Sequence, residues 1–478
     1  MVSVKNTFES PFNSRYASRE MLWLFSPDKR YQTWRKLWVA LAESEMELGL
    51  PVTQEQVSEL KEHICDIDYN AVAAKEKEIR HDVMAHVHAY GQVCPAAKGI
   101  IHLGATSCYV TDNADVVILR EALQLVRTKI LAVMDKLAAF AMEYKDLPAL
   151  GFTHFQPAQP VTVGKRACLW LQDLLMDFED VEYAISTLKL LGNKGTTGTQ
   201  ASFLNLFEGD HEKVKRLEQL IAQKMGFDEC FPVSGQTYSR KLDSRVLGVL
   251  SGIAQTACKF ANDVRLLQGL GELEEPFEKN QVGSSAMAYK RNPMRCERMT
   301  SLSRNVIAQT INPAITESVQ WLERTLDDSA NRRISLAESF LSIDAVLNIF
   351  VNVTDGLVVY PKVIEARLLE KLPFMATENI MMEAVRRGGN RQELHEKIRG
   401  YSMEVTREIK LEGKPNTLIA KMAADPAFMM DEAEMQTLLD PKNYVGRAPE
   451  QTQEFVAEYI RPLLEREQVE DVAVELNV

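Results

Sequence analysis

The sequence lacks paired cysteines. Its seven cysteines, Cys65, Cys94, Cys108, Cys168, Cys230, Cys258 and Cys296, are odd in number and scattered, and no CxxC occurs. That argues against a disulfide framework and fits reduced, mostly core-filling thiols in a cytoplasmic protein. There is no HExxH, so a zinc site has no motif support. The phosphate-loop pattern GxxxxGK[ST], the GxSxG elbow and the SxxK of acyl-serine enzymes are all missing, which removes the usual NTPase and serine-hydrolase readings. No run of 18 or more apolar residues occurs, and the opening MVSVKNTFESPFNSRYAS has no apolar signal core, so neither a membrane span nor a leader is expected. Positive charge is in deficit: 55 Lys and Arg against 67 Asp and Glu give a net charge of −12. A nucleic-acid binder would be basic overall, so nucleic acid is not an expected partner, although local basic pockets remain open.

What the sequence has is helical periodicity. At 478 residues, 46% hydrophobic and 26% charged, it reads as a soluble globular chain of about three domains. Residues 1–106 read as short helices broken by turns, one near Tyr31–Leu48 and another near Asn70–Tyr90. The stretch GIIHLGATSCYVTDN then reads as a polar loop that ends in a helix cap at Asp112. From there Val116, Leu119, Leu123, Val126, Ile130, Val133, Leu137 and Phe140 recur in alternating steps of three and four. That predicts a helix of about 30 residues, roughly 45 Å long. Similar stripes predict helices after Thr153–Pro160, through Val246–Leu267, from Met294 to Trp321 with a break near Pro313, and from Ser329 to Leu357.

These stripes predict an all-α chain whose central domain, 107–361, is a bundle of long helices joined by loops rather than strands. The stripes exceed what one core needs, so self-association is expected. Residues 362–478, with breaks at Gly388–Gly389, Gly400 and Gly413–Pro415, read as a third, smaller helical domain.

The candidate chemistry lies in polar stretches at helix ends. Arg80–His81–Asp82 joins a cation, a titratable ring and a carboxylate. His86 and His88 follow at spacings that do not put the three rings on one face, so a shared metal is not expected. Thr106 and Ser107 precede a helix N-terminus, which suits anion binding as well as simple capping. His154, in GFTHFQPAQP between two long helices, suits proton transfer. Gln236, in SGQTYSRKLD, fits a ligand contact or a cap. The stretch 271–298 interrupts the helices, and its GSSAMAYKRNP (283–293) combines two hydroxyls, a glycine and two cations. It fits a mobile loop that closes over an anion, and equally a linker. Arg324, Ser329, Arg332 and Arg333 surround a helix start, where arginine forks suit carboxylate or phosphate. Together these describe a site for a small, multiply anionic substrate.

GSSAMAYKRNP closely resembles the GSSxMPxKxNP loop of the fumarase/aspartase superfamily, whose members eliminate fumarate across a C–N or C–O bond. THFQPAQPVTVGKR, GATSCYVTDN and the five-helix pattern are similar to it too. Those motifs alone leave fumarase or argininosuccinate lyase open, and lyases of this superfamily have also been recruited as structural lens proteins. RHDVMAHVHAYG, LGFTHFQPAQP, KGTTGTQASF, GQTYSRKLD and WLERTLDDSANRR resemble the animal-type adenylosuccinate lyase family more closely. The likeness runs through nearly the whole chain and thins at the termini and after about residue 400.

The resemblance implies three helical domains, a homotetramer built round a shared bundle, and active sites made from three subunits. It implies elimination of fumarate from adenylosuccinate and from SAICAR, with no metal or organic cofactor. By position, His154 resembles the general acid and Ser284 the base. Arg15, Tyr16, Arg80, His81, Asp82, Thr106, Ser107, Gln236, Lys290, Asn292, Arg298, Arg324, Ser329 and Arg333 resemble substrate contacts. One departure stands out: Ala288 occupies a position where the family pattern usually has proline, which implies a more flexible open loop.

Overall fold

The computed structural model describes residues 7–283, 285–469 and 472. The N-terminal helices start on local capping signals. They are α1 (Arg19–Leu24), α2 (Pro27–Glu47), α3 (Gln54–Glu62), α4 (Tyr69–Ile79) and α5 (Asp82–Val93). Ser26 accepts from the Lys29 N–H ahead of α2, with Pro27 as the first helical residue. Thr53 and Gln56 form a reciprocal capping box on α3. The stretch read as one helix over Asn70–Tyr90 is two. Arg80 adopts a left-handed conformation (φ 56°) and ends α4, and His81 caps α5. The chain turns a corner there, and that corner enters the site described below.

Next come α6 (Ser107–Glu143), α7 (Val163–Ser186), α8 (Ala201–Leu206), α9 (His211–Lys224), α10 (Lys241–Gly269), α11 (Met294–Gln309), α12 (Ile311–Ser318) and α13 (Asp328–Asp355). Helices α6, α7, α10, α11 and α13 pack side by side as the bundle. Its core carries the sequence stripes, including Val126, Ile130, Leu171, Phe260, Ile343 and Phe350, all fully buried. α6 is longer than its stripe predicted: 37 residues, starting at Ser107. At 1.5 Å per residue it extends about 55 Å. Asp112 therefore lies inside the helix, buried, and is not its cap.

The expectation of loops alone between the long helices is also corrected. α6 and α7 are joined by an antiparallel hairpin, β1 (Pro148–Thr153) and β2 (Gln156–Thr162). A second two-stranded patch pairs β3 (Leu273–Glu274) with β4 (Val358–Val359). At the α6–α7 junction a Cβ on Gly164 would strike the Ala141 carbonyl, so glycine is what lets the two helices close up.

Two polar ties, one part-buried and one buried, link the bundle helices. Trp170 Nε1 donates to Asp263 at 2.8 Å. Lys129 of α6 pairs with Asp344 of α13, which also accepts from the Ser18 N–H at 2.6 Å. α13 is long and apolar enough to cross a membrane by length and composition, but 83% of its most apolar window is buried inside the protein, as suits the innermost bundle helix.

The remaining helices are α14 (Pro361–Met375), α15 (Thr377–Arg386), α16 (Arg391–Glu412), α17 (Leu418–Ala423), α18 (Glu432–Thr437), α19 (Ala448–Phe455) and α20 (Arg461–Glu467). Leu372, Ile380, Leu418 and Phe428 form a separate core. Val456, Ile460, Leu463 and Leu464 return to the bundle core, which also takes in Phe12, Met21 and Leu24. The N-terminal core includes Phe203, Leu217 and Ile221 from α8 and α9.

Candidate active site

A cavity of about 510 Å³ opens where α2, the α4–α5 corner, the start of α6 and the start of α13 meet. Arg80, His81, Asp82, Ser107, Gln236, Arg324, Ser329 and Arg333 all line it. Its geometry follows from helix ends. His81 Nδ1 accepts from the Met84 N–H at 3.4 Å, and its Nε2 faces Ser107 Oγ at 3.4 Å. Arg333 reaches Asp82 at 3.3 Å. Thr106 precedes the first residue of α6 and its side chain makes no capping bond, so that end of a long helix keeps its anion-binding character. Gln236 Nε2 donates to the Thr196 carbonyl at 3.0 Å, which fixes it at the rim.

Below the cavity lies a buried ion network that no local pattern announced. Arg240 Nη1 binds Asp112 at 2.8 Å and its Nε binds Asp328 at 2.7 Å. Arg324 Nη1 reaches Asp328 at 2.9 Å. Arg332 Nε binds Asp243 at 2.7 Å and its Nη2 binds Asp115 at 3.0 Å. Burial alone would raise the Asp328 carboxyl, but Arg240 and Arg324 hold it below its ordinary range. Arg332 is thus committed to the floor, while Arg324 and Arg333 stand nearer the opening. Two lining cations were not among the sequence candidates: Arg240, already placed in the floor, and Arg30, from α2. The only sequence signal for Arg30 is the charged opening of α2. His86, by contrast, faces the core. It stacks on Tyr31 at 3.9 Å between ring centroids, and burial lowers it to about 4, so it stays neutral.

The other candidates lie at the opposite end of the bundle. His154 and Phe155 form the two-residue tip of the β1–β2 hairpin, with Thr153 paired to Gln156. Both tip residues have positive φ, 52° and 56°. Such a turn favours Asn-Gly, so His and Phe there are held at some backbone cost. His154 is exposed, and among the described residues its ring has no hydrogen-bond partner in the chain. Arg298, in the first turn of α11, lies 6.0 Å from the Tyr16 ring centre, with Arg15 beside it in the helical turn Phe12–Tyr16.

The loop between β3 and α11 is pinned at its neck. Glu275 accepts from the Arg295 N–H at 3.0 Å and the Cys296 N–H at 2.9 Å, so it caps α11 from a distance. Asn292 Nδ2 donates to the Gly283 carbonyl at 2.7 Å, and Gln268 Nε2 to the Arg291 carbonyl at 3.1 Å. A Cβ on Gly283 would strike the Lys290 carbonyl. Lys290 is exposed beyond this neck. Ser284 lies outside the described residues. The span 271–298 is therefore anchored along much of its described length.

Comparisons with known proteins separate the superfamily alternatives. A family described as "Lyase" matches residues 12–308, and one described as "Adenylosuccinate lyase C-terminus" matches residues 373–455. The adenylosuccinate lyase of Saccharomyces cerevisiae is 53% identical over 478 residues, covering 99% of each chain. The chain belongs to the adenylosuccinate lyase family. Membership makes it a carbon–nitrogen lyase.

Other adenylosuccinate lyases are similar along nearly their whole length. That of Schistosoma mansoni is 47% identical, covering 96% of each chain, and that of Pyrococcus abyssi is 30% identical, covering 95% of this chain and 99% of its own. The fold is shared more widely. A 3-carboxy-cis,cis-muconate lactonizing enzyme from Pseudomonas putida superposes with a TM-score of 0.81 at 23% identity, over 94% of this chain and 99% of that one.

The adenylosuccinate lyase family loop also gives meaning to Ala288. The Lys290 N–H donates to the Met287 carbonyl at 3.0 Å, closing a turn with Ala288 in its second position, where proline is favoured. Ala288→Pro is expected to stabilise the closed turn by ~0.4–1 kcal/mol, roughly two- to fivefold less opening. Hydrogen exchange over the tip, residues 285–290, checks this, and unchanged exchange would contradict it.

Proposed function

We propose that the chain eliminates fumarate from adenylosuccinate, giving AMP, and from SAICAR, giving AICAR. The observation that carries this reading is the cleft, in which Arg80, Arg324 and Arg333 share one cavity with His81, Ser107 and Ser329. Arginine forks and a helix N-terminus suit a phosphate and two carboxylates. An apolar side formed by Trp34, Ile118 and Leu336 suits a flat ring.

In the reaction a base takes the Cβ proton, the Cα–N bond breaks, and the departing nitrogen takes a proton. Fumarate leaves with the new double bond. Ser284 fits the base and His154 the acid. Losing the Cβ proton puts extra negative charge on the adjacent carboxylate. Lys290, Asn292 and the N–H groups of the glycine-serine loop would stabilise it. A serine is a weak base in water, so its role calls for a local positive field and a closed tip.

In this reading one chain does not complete the site. The cleft sits at the N-terminal end of α6, and the His154 hairpin follows its C-terminal end, about 55 Å away by helix rise. The reading therefore includes a homotetramer in which one copy's hairpin and loop serve another copy's cleft. Leu169, Met176 and Tyr183, exposed at seven-residue spacing on α7, supply an apolar stripe for such contacts. The free cysteines support a cytoplasmic setting.

Incubating the purified protein with adenylosuccinate should release fumarate and AMP, with argininosuccinate as the control; release from argininosuccinate alone would overturn the reading. Mixing inactive His154→Ala chains with inactive Arg333→Ala chains should restore part of the activity. Mixed assemblies with none would contradict shared sites.

A further inference from the structure

A second cavity, about 470 Å³, lies away from the cleft, between α2, α3, α6 and the end of α9. Its volume is in the range of small-molecule sites, roughly 300–1,000 Å³. Five cations line it, Lys29, Lys36, Lys61, Arg120 and Lys224, in a protein whose net charge is −12. Only two carboxylates share the lining, Glu43 and Glu121. They are already engaged: Glu121 pairs with Lys29, and Glu43 lies 2.7 Å from Lys61 and 3.4 Å from Lys224.

Two cations therefore have no carboxylate of their own. Lys36 is exposed and has no ion pair among the described residues. Among the described residues Arg120 bonds only backbone carbonyls, those of Gly226 and Met225, the latter at 3.1 Å, and its guanidinium carbon lies over the Phe227 ring, 3.6 Å from the centroid. Those contacts fix the guanidinium without neutralising it. Burial lowers its affinity for its proton, with Glu121 opposing, so the charge is partly desolvated and strengthened toward an anion.

The cavity also has an apolar portion in Val39, Ile64, Val117 and Met225. Clustered cations beside an apolar patch match a phosphate group carried on an organic body. α2 separates the two cavities: Arg30 and Trp34 point into the cleft, and Lys29 and Lys36 into this second space.

We infer that the cavity formed by Lys36, Arg120 and their neighbours is a second anion site, separate from the cleft, that takes a phosphorylated small molecule. The probes are AMP and inorganic phosphate, titrated calorimetrically into the intact protein and into the Lys36→Gln/Lys61→Gln variant. The intact protein should show two classes of AMP site per chain. The variant should lose one, with affinity at the second site falling about tenfold or more, while kcat/KM stays unchanged because both lysines lie outside the cleft. Phosphate that competes for the second class as tightly as AMP makes the phosphate group the recognised part; weaker competition adds the organic body. Identical titrations of the intact protein and the variant, or one class of AMP site in both, would overturn the inference.

Discussion

Replacing His154 with alanine is expected to lower kcat by roughly 10²–10⁴-fold, the usual contribution of a positioned general acid. The fold should be unaffected, because the ring is exposed at a hairpin tip and bonds nothing among the described residues of its own chain. Circular dichroism and assembly size should match those of the unaltered protein. Ser284→Ala should fall in the same range, and combining the two should cost less than the product of the single losses, as for groups acting in one step. Single-turnover rates of fumarate release decide the matter. Turnover near normal in either variant removes that residue from its role.

The second large effect is structural. Arg240→Met should destabilise the chain by about 3–5 kcal/mol, because it leaves the buried Asp112 without its paired cation and Asp328 with Arg324 alone. Arg240 is the only group that touches both Asp112, from α6, and Asp328, from the first turn of α13, among the described residues. The loss should appear as a lower denaturation midpoint, together with weaker substrate binding, since the same network supports the cleft. A midpoint within error of the original would show that the network does not hold these helices together. The pH dependence has a definite sign. Asp328 is held below its ordinary value, so its contribution is complete above an unfolded carboxylate's pKa of about 3.9 and drains away as pH falls through the lower folded value. The Arg240→Met variant should therefore lose less on acidification than the original.

The long helices were legible because burial repeats with their period: Val116 through Phe140 and Val246 through Leu267 are stripes that the structure buries. Their ends were less so. Asp112 resembles a cap to any local reading, yet it partners Arg240, 128 residues away in sequence. Arg80 breaks an apparent single helix without a glycine to announce the left-handed turn. The hairpin carrying His154 was hidden for a chemical reason: its turn has no Asn-Gly, and Pro157 and Pro160 in β2 argue against a strand. Two-stranded pairing tolerates them, since each strand has a free edge.

The candidate residues were nameable one by one from motif resemblance. Composition and spacing could not show that they divide into a cleft set and a hairpin-and-loop set at opposite ends of one bundle. That division follows only once the length of α6 is known.

The separation of those two sets by the length of α6 changes what a substitution means. In the proposed assembly, each chain lends its acid to a neighbour and borrows one in return. A damaged hairpin is then a defect in someone else's catalysis, and its own cleft stays sound. Heredity and phenotype are uncoupled at the level of the single chain, and selection sees the partnership rather than the polypeptide.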